Sequence, residues 1–325
     1  MSRESDAGRR FGREARILRV RRPGLVYIVG SNRSGSTILS AVLGSQAGMV
    51  AAGELNALLF DDVGEVRLCS CAKVLEECPF WSPVLQRWRR DLAPAGFEDY
   101  RRLEQEFERF RSLPRLTRAS RRPSSSFQAY LDGTDMLLRR IAEAGSADYV
   151  VDASKTPIRA LALLRGGGTD LSLVHLVRDP RAVAWSKRKL LRWEALPNWL
   201  RSPVGTVMRV TSDWILTNLF AERVARTYPQ APYVRIRYED LTAAPASVLQ
   251  DAGSRVGLDL RALGDRAARG EAFSFSHIMA GNVARHKPPR PLVRDDEWQT
   301  ASPPWMRSLV WALCGPLARR YGYRP

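Results

Sequence analysis

The sequence predicts an α/β fold in which a mainly parallel sheet is flanked by helices on both faces. Three observations lead to this prediction. Short apolar runs rich in strand-forming residues recur along the chain, segments with helical periodicity separate them, and a glycine-rich loop joins the first run to the first helix. Since crossover helices cover both faces of a parallel sheet, we expect ligands to bind at the carboxyl ends of the strands.

The predicted elements begin with a buried strand at residues 25–29, which ends at Gly30. After a loop at residues 31–35, a helix covers residues 36–45. Its apolar residues share one face: Ile38, Leu39, Val42 and Leu43. The same reasoning predicts further strands at residues 149–151, 171–177 and 233–236. Helical segments separate these strands, as in a parallel sheet.

Composition and charge indicate a folded, basic protein with an anionic partner. Hydrophobic residues make up 45% of the 325 residues, which excludes a wholly disordered chain. The 51 basic residues exceed the 34 acidic ones by 17, and only five of the basic residues are Lys. Arg suits forked contacts to phosphate or sulfate. Nucleic acid, an acidic membrane surface and a small anionic ligand all fit this charge.

The N-terminal residues 1–23 form a basic tail that we expect to be mobile and disordered, outside a folded domain at residues 24–325. The tail lacks the apolar run of a secretory signal. No uninterrupted apolar stretch approaches the roughly 18 residues that a membrane-spanning helix needs. We therefore expect a cytoplasmic protein without a transmembrane segment, while peripheral membrane contact stays open.

Residues 61–129 differ from the α/β pattern, and we expect a helical insertion there. Cys and Trp residues come first, followed by an Arg- and Glu-rich helix near residues 97–111. Residues 112–126, rich in Arg, Ser and Pro, are expected to form a mobile basic loop. The alternative interpretation of this charge-rich segment is a solvated face and linker.

The four cysteines, Cys69, Cys71, Cys78 and Cys314, are too few for a disulfide scaffold. Zinc sites normally use Cys-x2-Cys spacing and a fourth ligand nearby, whereas Cys69 and Cys71 are closer and no His is near them in sequence. We therefore expect no metal. The thiols are expected to be small buried hydrophobic groups, with one optional disulfide.

The loop between the first strand and helix has the glycine spacing of a nucleotide P-loop. It reads Gly30-Ser31-Asn32-Arg33-Ser34-Gly35-Ser36-Thr37. Its backbone N–H groups and the positive end of the following helix form an anion site that needs no metal. However, Ser36 stands where ATP- and GTP-using families place a Lys, which disfavours the alternative of a P-loop kinase or NTPase.

Part of this loop, Arg33 to Thr37, resembles the 5′-phosphosulfate-binding loop of sulfotransferases that use 3′-phosphoadenosine 5′-phosphosulfate. A second segment, which begins at Arg178 after a predicted strand and reaches Ser186, resembles the 3′-phosphate-binding segment of that family. There, Arg178 would give a forked, charge-assisted contact and Ser186 a hydroxyl donor. Tyr238 lies in a segment similar to the family's Tyr-Glu-Asp-Leu, which implies that it contacts the nucleotide.

The resemblance implies a P-loop-like sulfotransferase fold, with the phosphosulfate as donor and no required metal. The reaction would move a sulfuryl group in line to an acceptor hydroxyl, or less readily an amine. Glu54 lies 21 residues after Arg33, the spacing at which the tyrosylprotein branch places its catalytic Glu. Lys155 follows a predicted strand where the family has a Lys that contacts the sulfuryl group. An N-terminal helix acid is the alternative for Glu54, and pairing with Asp152 is the alternative for Lys155.

The C-terminal region contains a loop that resembles the segment closing over the nucleotide in this family. Asn282 and Arg285 are donor-contact candidates within it. His277 in the same region is a weaker rival to Glu54 as the base. His175 lies inside an apolar strand and is expected to be a core residue with satisfied hydrogen bonds.

The acceptor is expected to be a small molecule, a sugar or a lipid-like compound. Trp-rich stretches at residues 185–199 and from Trp214 onward, together with the insertion, are expected to shape its pocket, with core packing as the alternative. A basic nucleic-acid-binding protein is the third hypothesis, although we expect no specific nucleic-acid partner. The oligomeric state stays open.

Overall fold

A computed structural model describes residues 22–59, 68–114, 116–117, 124–188 and 202–325. Its five strands are β1 Gly24–Val29, β2 Met49–Gly53, β3 Tyr149–Lys155, β4 Leu171–Val177 and β5 Tyr233–Arg237. They form one sheet in the order β2-β3-β1-β4-β5, and every neighbouring pair is parallel. The predicted parallel sheet is therefore confirmed, with β2 as an additional edge strand that the sequence analysis missed.

Helices occupy most of the connections between the strands. Before β3 they are α1 Ser36–Gly44, α2 Trp81–Asp91, α3 Gly96–Phe107 and α4 Ser125–Gly145. Between β3 and β5 they are α5 Pro157–Gly166, α6 Pro180–Arg188 and α7 Pro203–Thr227. After β5 come α8 Tyr238–Ala243, α9 Pro245–Val256, α10 Arg261–Ala268, α11 Glu297–Ala301 and α12 Pro304–Arg320.

The central strand β1 shows how both faces of the sheet are buried. Leu25, Tyr27 and Val29 pack into one core with residues of α2, α3, α4, α5 and α7. The intervening Val26 and Ile28 pack into a second core with α1, α8, α9 and α10. Because successive side chains of a strand point to opposite faces, this alternation places helices on both sides of the sheet.

Parallel pairing brings the carboxyl ends of the strands together along one border of the sheet. Val29 of β1 pairs with Lys155 of β3 and with His175 of β4, and Val177 at the end of β4 pairs with Arg237 of β5. The loops that follow these strands therefore lie side by side. The candidate segments with Arg33, Glu54, Lys155, Arg178 and Tyr238 all lie where a strand of the sheet ends, whereas Asn282 and Arg285 come from a later segment that follows no strand.

The region of the expected insertion contains α2, α3 and the start of α4. Trp81 and Trp88 of α2 are fully buried in the core below β1, so they do not line an open pocket. Several expectations lie partly outside the described residues. These parts are residues 1–21 of the tail, the start of the insertion at 61–67, about half of the basic loop, at 115 and 118–123, and most of the Trp-rich stretch, at 189–199. Among the helices that are described, none is both long enough and apolar enough to cross a bilayer.

Candidate active site

The loop after β1 has a backbone that only glycine permits at two positions. At Gly30 (φ 153°) an added Cβ would lie 2.2 Å from the carbonyl oxygen of Leu176, and at Gly35 (φ 96°) it would lie 2.6 Å from the ring of Tyr238. Gly35 precedes α1 and supplies no side-chain cap. The N–H groups in the first turn of α1 therefore remain suited to an anion.

This loop borders a cavity of about 770 Å³ at the carboxyl ends of the strands. Its described lining has seven basic residues, Arg33, Lys155, Arg178, Lys187, Arg209, Lys287 and Arg290, and two acidic ones, Glu54 and Asp295. Such an excess of positive charge concentrates anions in a cleft. The other site residues from the sequence analysis that line the cavity are Gly35, Ser36, Thr37, Ser186, Tyr238 and Asn282.

Arg33, Ser186 and Arg178 meet on one side of this cavity. Arg33 Nε donates a hydrogen bond to Ser186 Oγ at 2.9 Å, and Arg178 Nη1 donates to the carbonyl oxygen of Arg33 at 3.2 Å. Burial, together with the nearby charge of Arg178, lowers the pKa of Arg33. The two predicted phosphate-binding segments thus form one connected site.

Arg178 is held by groups that the sequence analysis did not connect to it. Its Nη2 contacts Asp295 Oδ2 at 3.0 Å, whereas the carboxylates nearer in sequence, Asp152 and Asp179, pair with other arginines. The guanidinium lies over the ring of Tyr238, 4.5 Å from its centre. These contacts fix the plane of the guanidinium at the mouth of the cavity.

Trp214 does not shape an acceptor pocket. Its side chain is fully buried, and its Nε1 donates a hydrogen bond to the carbonyl oxygen of Arg178 at 3.0 Å. The alternative of core packing is therefore correct for Trp214. None of the described residues between 68 and 129 lines the cavity either, so the insertion contributes no described wall.

Glu54 and Lys155 form an ion pair inside the cavity. Glu54 follows β2, and its backbone N–H donates to the carbonyl oxygen of Met279 at 3.1 Å. Lys155 ends β3 in a left-handed conformation (φ 67°) and is largely buried. The alternative of a Lys155–Asp152 pair is wrong, because Asp152 accepts from Arg159 Nε at 3.0 Å.

A segment near the C-terminus, residues 277–286 and called the C-terminal segment below, closes one side of the cavity through backbone contacts. The N–H of Asn282 donates to Thr37 Oγ1 at 3.3 Å, and Asn282 Oδ1 accepts from the N–H of Ala284 at 3.1 Å. Arg285 Nη1 donates to the carbonyl oxygen of Gly281 at 2.7 Å, and burial lowers the pKa of Arg285. Arg285 lies behind this segment and is not among the residues that line the cavity.

Three polar atoms around the loop have no hydrogen-bond partner within the described part of the chain: Ser34 Oγ, Arg178 Nε and Arg285 Nε. All three are buried. Buried donors and acceptors in native proteins are almost always satisfied by protein, water or ligand. Their location beside a cationic cavity indicates a polar ligand, and their chemistry fits an oxyanion.

The two histidines considered in the sequence analysis both lie outside the cavity. His175 is fully buried, with Nδ1 2.9 Å from Tyr233 Oη and Nε2 2.9 Å from Asn218 Oδ1, as expected of a satisfied core residue. Burial lowers its pKa to about 4. His277 instead lies among cysteines, 3.3 Å from Cys78 Sγ through its Nδ1. Its position does not favour it as the rival base.

Sequence reasoning missed five charged residues of the cavity: Lys187, Arg209, Lys287, Arg290 and Asp295. Lys187 had a usable signal, because it directly follows Ser186. Asp295 had none, since it meets Arg178 across 117 residues of sequence. Such long-range pairs belong to no local motif.

Comparisons with known proteins agree with this arrangement. Residues 23–262 match the family model described as the sulfotransferase family. The human carbohydrate sulfotransferase 6 is 27% identical over 188 residues, a match that covers 50% of this chain and 44% of that protein. This chain thus spans less than half the length of the curated relative that it matches.

Two solved structures are also similar to this chain. The sulfotransferase domain of an olefin synthase from Synechococcus PCC 7002 is 20% identical with a TM-score of 0.49, and the match covers 95% of this chain and 98% of that domain. Sulfotransferase STF9 from Mycobacterium avium is 14% identical with a TM-score of 0.45, over 93% of this chain and 77% of that one.

Proposed function

The chain belongs to the sulfotransferase family, and on this premise we propose that it transfers a sulfuryl group from 3′-phosphoadenosine 5′-phosphosulfate to an acceptor hydroxyl. The observation that carries the proposal is the single cavity in which the loop after β1, the Arg178 segment and the Glu54–Lys155 pair all meet. An in-line displacement needs a donor site, a base and a group that stabilises the leaving oxyanion. Each of these has a candidate in the cavity.

The donor would be held by two groups of residues. The loop from Arg33 to Thr37 and the first turn of α1 would receive the phosphosulfate end. Arg178 and Ser186 would hold the 3′-phosphate, with Tyr238 beneath the guanidinium. The unpartnered Arg178 Nε and Ser34 Oγ support this assignment, because the 3′-phosphate would satisfy the first atom and the phosphosulfate the second.

Glu54 and Lys155 would carry out the chemistry. The bound donor supplies an electrophilic sulfur and a phosphate leaving group. Glu54 would accept the proton of the acceptor hydroxyl, since it lies beside Lys155, whereas Asp295, the other carboxylate among the described cavity residues, holds the Arg178 assigned to the 3′-phosphate. Lys155 would stabilise the charge on the departing phosphate oxygen.

For the acceptor, we propose the hydroxyl group of a carbohydrate or another small molecule. Support comes from the activity in the name of the human relative and from the size of the cavity, which exceeds what an inorganic anion needs. Lipid-like compounds and amines are the alternative acceptors, and the experiment below tests them too. We place the reaction in the cytoplasm, supported by four free cysteines, as is usual in a reducing compartment.

The donor assignment is tested by calorimetric titration of the full chain with adenosine 3′,5′-bisphosphate, without Mg²⁺. We expect saturable binding that added Mg²⁺ does not strengthen, and weaker binding of adenosine 5′-monophosphate, which lacks the 3′-phosphate. Absence of saturable binding would refute the donor assignment. Turnover of Mg²⁺–ATP would instead support the P-loop NTPase alternative.

The acceptor class is tested by incubating the chain with the donor and a panel of sugars, phenols, lipids and amines. Mass spectrometry should show an acceptor that gains one sulfonate together with release of the bisphosphate. Transfer to carbohydrate hydroxyls supports the proposal as stated. Transfer confined to amines would contradict it while leaving the donor site intact.

A further inference from the structure

A second site, separate from the cavity, is formed by Cys69, Cys71, Cys78 and His277. We propose that these four residues bind one Zn²⁺ ion that fixes the C-terminal segment beside the active site. The sequence argument against a metal relied on the short Cys69–Cys71 spacing and on the absence of a nearby His, and the fold answers both points. His277 reaches the cysteines from about 200 residues away in sequence. This proposal does not depend on the reaction proposed above.

The spacing of the ligand atoms suits a tetrahedral zinc site. The three sulfurs and a nitrogen of His277 all lie within 4.8 Å of one another. Cys71 Sγ is 3.7 Å from Cys78 Sγ, and His277 Nδ1 is 3.7 Å from Cys69 Sγ and 3.3 Å from Cys78 Sγ. Bonds of about 2.3 Å to sulfur and about 2.0 Å to nitrogen, at tetrahedral angles, separate ligand atoms by roughly 3.5–3.8 Å.

A tight turn brings Cys69 and Cys71 to the same point despite their short spacing. The N–H of Cys69 donates to the carbonyl oxygen of Lys73 at 2.9 Å, and Ala72 has a left-handed conformation (φ 65°). Leu68 and Val74 form an antiparallel bridge that closes the turn. Cys78 follows, with its N–H bonded to the carbonyl oxygen of Val74 at 2.9 Å. Three thiols therefore converge within ten residues.

His277 is held in place by contacts from the cysteine segment. The N–H of Ser70 donates to the carbonyl oxygen of Ile278, and the N–H of Ile278 donates to Ser70 Oγ, both at 3.0 Å. The imidazole stacks on Phe80 with ring centres 5.5 Å apart, and Trp81 Nε1 donates to the His277 carbonyl oxygen at 2.7 Å. The ring is thus oriented before any metal arrives, which favours binding.

The chemistry of the ligands selects the metal. Three thiolates and one imidazole in tetrahedral arrangement suit Zn²⁺, whereas Mg²⁺ and Ca²⁺ prefer oxygen ligands. Four protein ligands complete the coordination, so the site is structural and offers no position for a substrate. Cys69 and Cys78 are buried and Cys71 is exposed, which gives the ion a route into the site. Binding releases the thiol protons to solvent.

The site would stabilise a segment that contributes directly to the cavity. Cys69 forms an antiparallel bridge with Met279, and the carbonyl oxygen of Met279 accepts the N–H of Glu54 at 3.1 Å. Asn282 and Arg285 follow three and six residues later. A metal bound to His277 would therefore tether the cysteine turn, the Glu54 backbone and the C-terminal segment together.

Metal analysis of the purified full chain tests the proposal. Cells are supplied with zinc, and the protein is passed through a mild chelator before elemental mass spectrometry. We expect about one zinc per chain. After removal of zinc, titration with Co²⁺ alone should give the thiolate charge-transfer and ligand-field absorption of a tetrahedral site at one equivalent.

Cys71→Ser is the informative variant because Cys71 is exposed and its replacement leaves the core intact. It should lose stoichiometric zinc and alter the Co²⁺ spectrum, whereas the matched control Cys314→Ala, at a buried cysteine outside the cluster, should keep one zinc. Metal-free chain that shows no tetrahedral Co²⁺ spectrum would overturn the proposal. So would a disulfide between Cys71 and Cys78 in freshly purified protein, since the thiols would then serve a redox role.

Discussion

Glu54 and Lys155 come from the ends of two neighbouring strands, and their ion pair shows how single residues acquire a role from the sheet. Neither residue is unusual in its local sequence. Parallel pairing of β2 with β3 brings Glu54 and Lys155 to the same end of the two strands. The C-terminal segment then contacts Glu54, because the carbonyl oxygen of Met279 accepts the Glu54 N–H. The spacing argument from the resemblance made Glu54 the candidate base, but it did not predict the ion pair with Lys155.

Glu54→Gln keeps the size of the side chain and removes the group proposed to accept the acceptor proton. We expect kcat to fall by roughly 10²–10⁴, the usual contribution of a general base. Affinity for adenosine 3′,5′-bisphosphate should change little, because the Arg178 side of the cavity is untouched. Initial-rate kinetics and calorimetry measure the two effects. Glu98→Gln, at an exposed position on α3, is the control with unchanged kcat; a Glu54→Gln enzyme with normal kcat excludes this base.

Arg178→Ala removes the side chain proposed to hold the 3′-phosphate. Loss of a charge-assisted hydrogen bond should weaken bisphosphate binding by about 1.5–3 kcal/mol, or roughly 10- to 150-fold in Kd. Affinity for adenosine 5′-monophosphate should change much less. Calorimetry on both nucleotides gives the comparison, with Arg255→Ala on the surface of α9 as the control. Equal weakening for both nucleotides would show that Arg178 does not contact the 3′-phosphate.

At the scale of elements, a buried charge cluster joins β3, α3 and α5. Arg159 of α5 is fully buried, with Nε 3.0 Å from Asp152 Oδ2 and Nη1 in contact with Glu108 Oε1. Glu104 of α3 lies 3.8 Å from the same Nη1. The cluster connects the inserted helices to the sheet. No motif predicted it, because its members are spread over about 50 residues of different elements.

Removal of Arg159 leaves three buried carboxylates without the guanidinium that lies among them. We expect Arg159→Ala to lower the free energy of unfolding by about 3–5 kcal/mol. Urea denaturation measures the change. Arg165→Ala, at a more exposed site near the end of the same helix, should have little effect. A loss below 1 kcal/mol for Arg159→Ala would mean that the carboxylates become protonated or hydrated at little cost.

Elements with strong local patterns were predictable, and those defined by tertiary contacts were not. β1 is a continuous apolar run and β4 is an apolar run broken only by Ser172 and His175, so their sequences predict buried strands. β2 reads Met-Val-Ala-Ala-Gly, with a single β-branched residue. It forms a strand because its backbone pairs with that of β3. Local residue propensities do not reveal such a partner. The cysteine turn was missed for a related reason: its fourth ligand comes from the other end of the chain.

At the scale of the whole molecule, burial of His175 in the central part of the sheet gives the fold a sensitivity to acid. Its pKa is lowered to about 4 by burial, below an ordinary value of about 6.5. The unfolded chain therefore binds a proton more readily. The contribution of neutral His175 to the free energy of unfolding is complete above about pH 6.5. It is lost as pH falls toward 4, by about 1.4 kcal/mol per pH unit.

This dependence is measured by urea denaturation of the native chain and of His175→Gln between pH 4 and pH 7.5. The free energy of unfolding of the native chain minus that of the variant should fall by about 1.4 kcal/mol for each pH unit below 6.5. This difference isolates His175, because the carboxylates that titrate in the same range are common to both proteins. A difference that does not vary with pH would show that His175 keeps its ordinary pKa.

The net charge of +17 suggested an anionic partner without locating it. The folded chain separates that charge into two groups. Seven basic residues of the described chain face the cavity, and others pair with carboxylates on the surface, such as Arg255 with Asp251 and Arg261 with Asp259. Composition could predict the sign of the ligand. The motifs named Arg33 and Arg178 as candidates to face it, and only the fold added Arg209 and Arg290.

The strand order also constrains how this protein is made. Strand β1 is synthesised long before its two neighbours: Gly24 pairs with Tyr149, and Leu25 pairs with Leu171. A nascent chain must therefore carry β1 without either partner until β3 has been synthesised, and with one open side until β4 has been synthesised. We expect chains that stop before residue 171 to aggregate or bind chaperones, whereas chains that extend past β5 become soluble. Chains truncated at successive positions can be translated and separated by centrifugation. Soluble protein should first appear among chains that end between residue 171 and the end of β5.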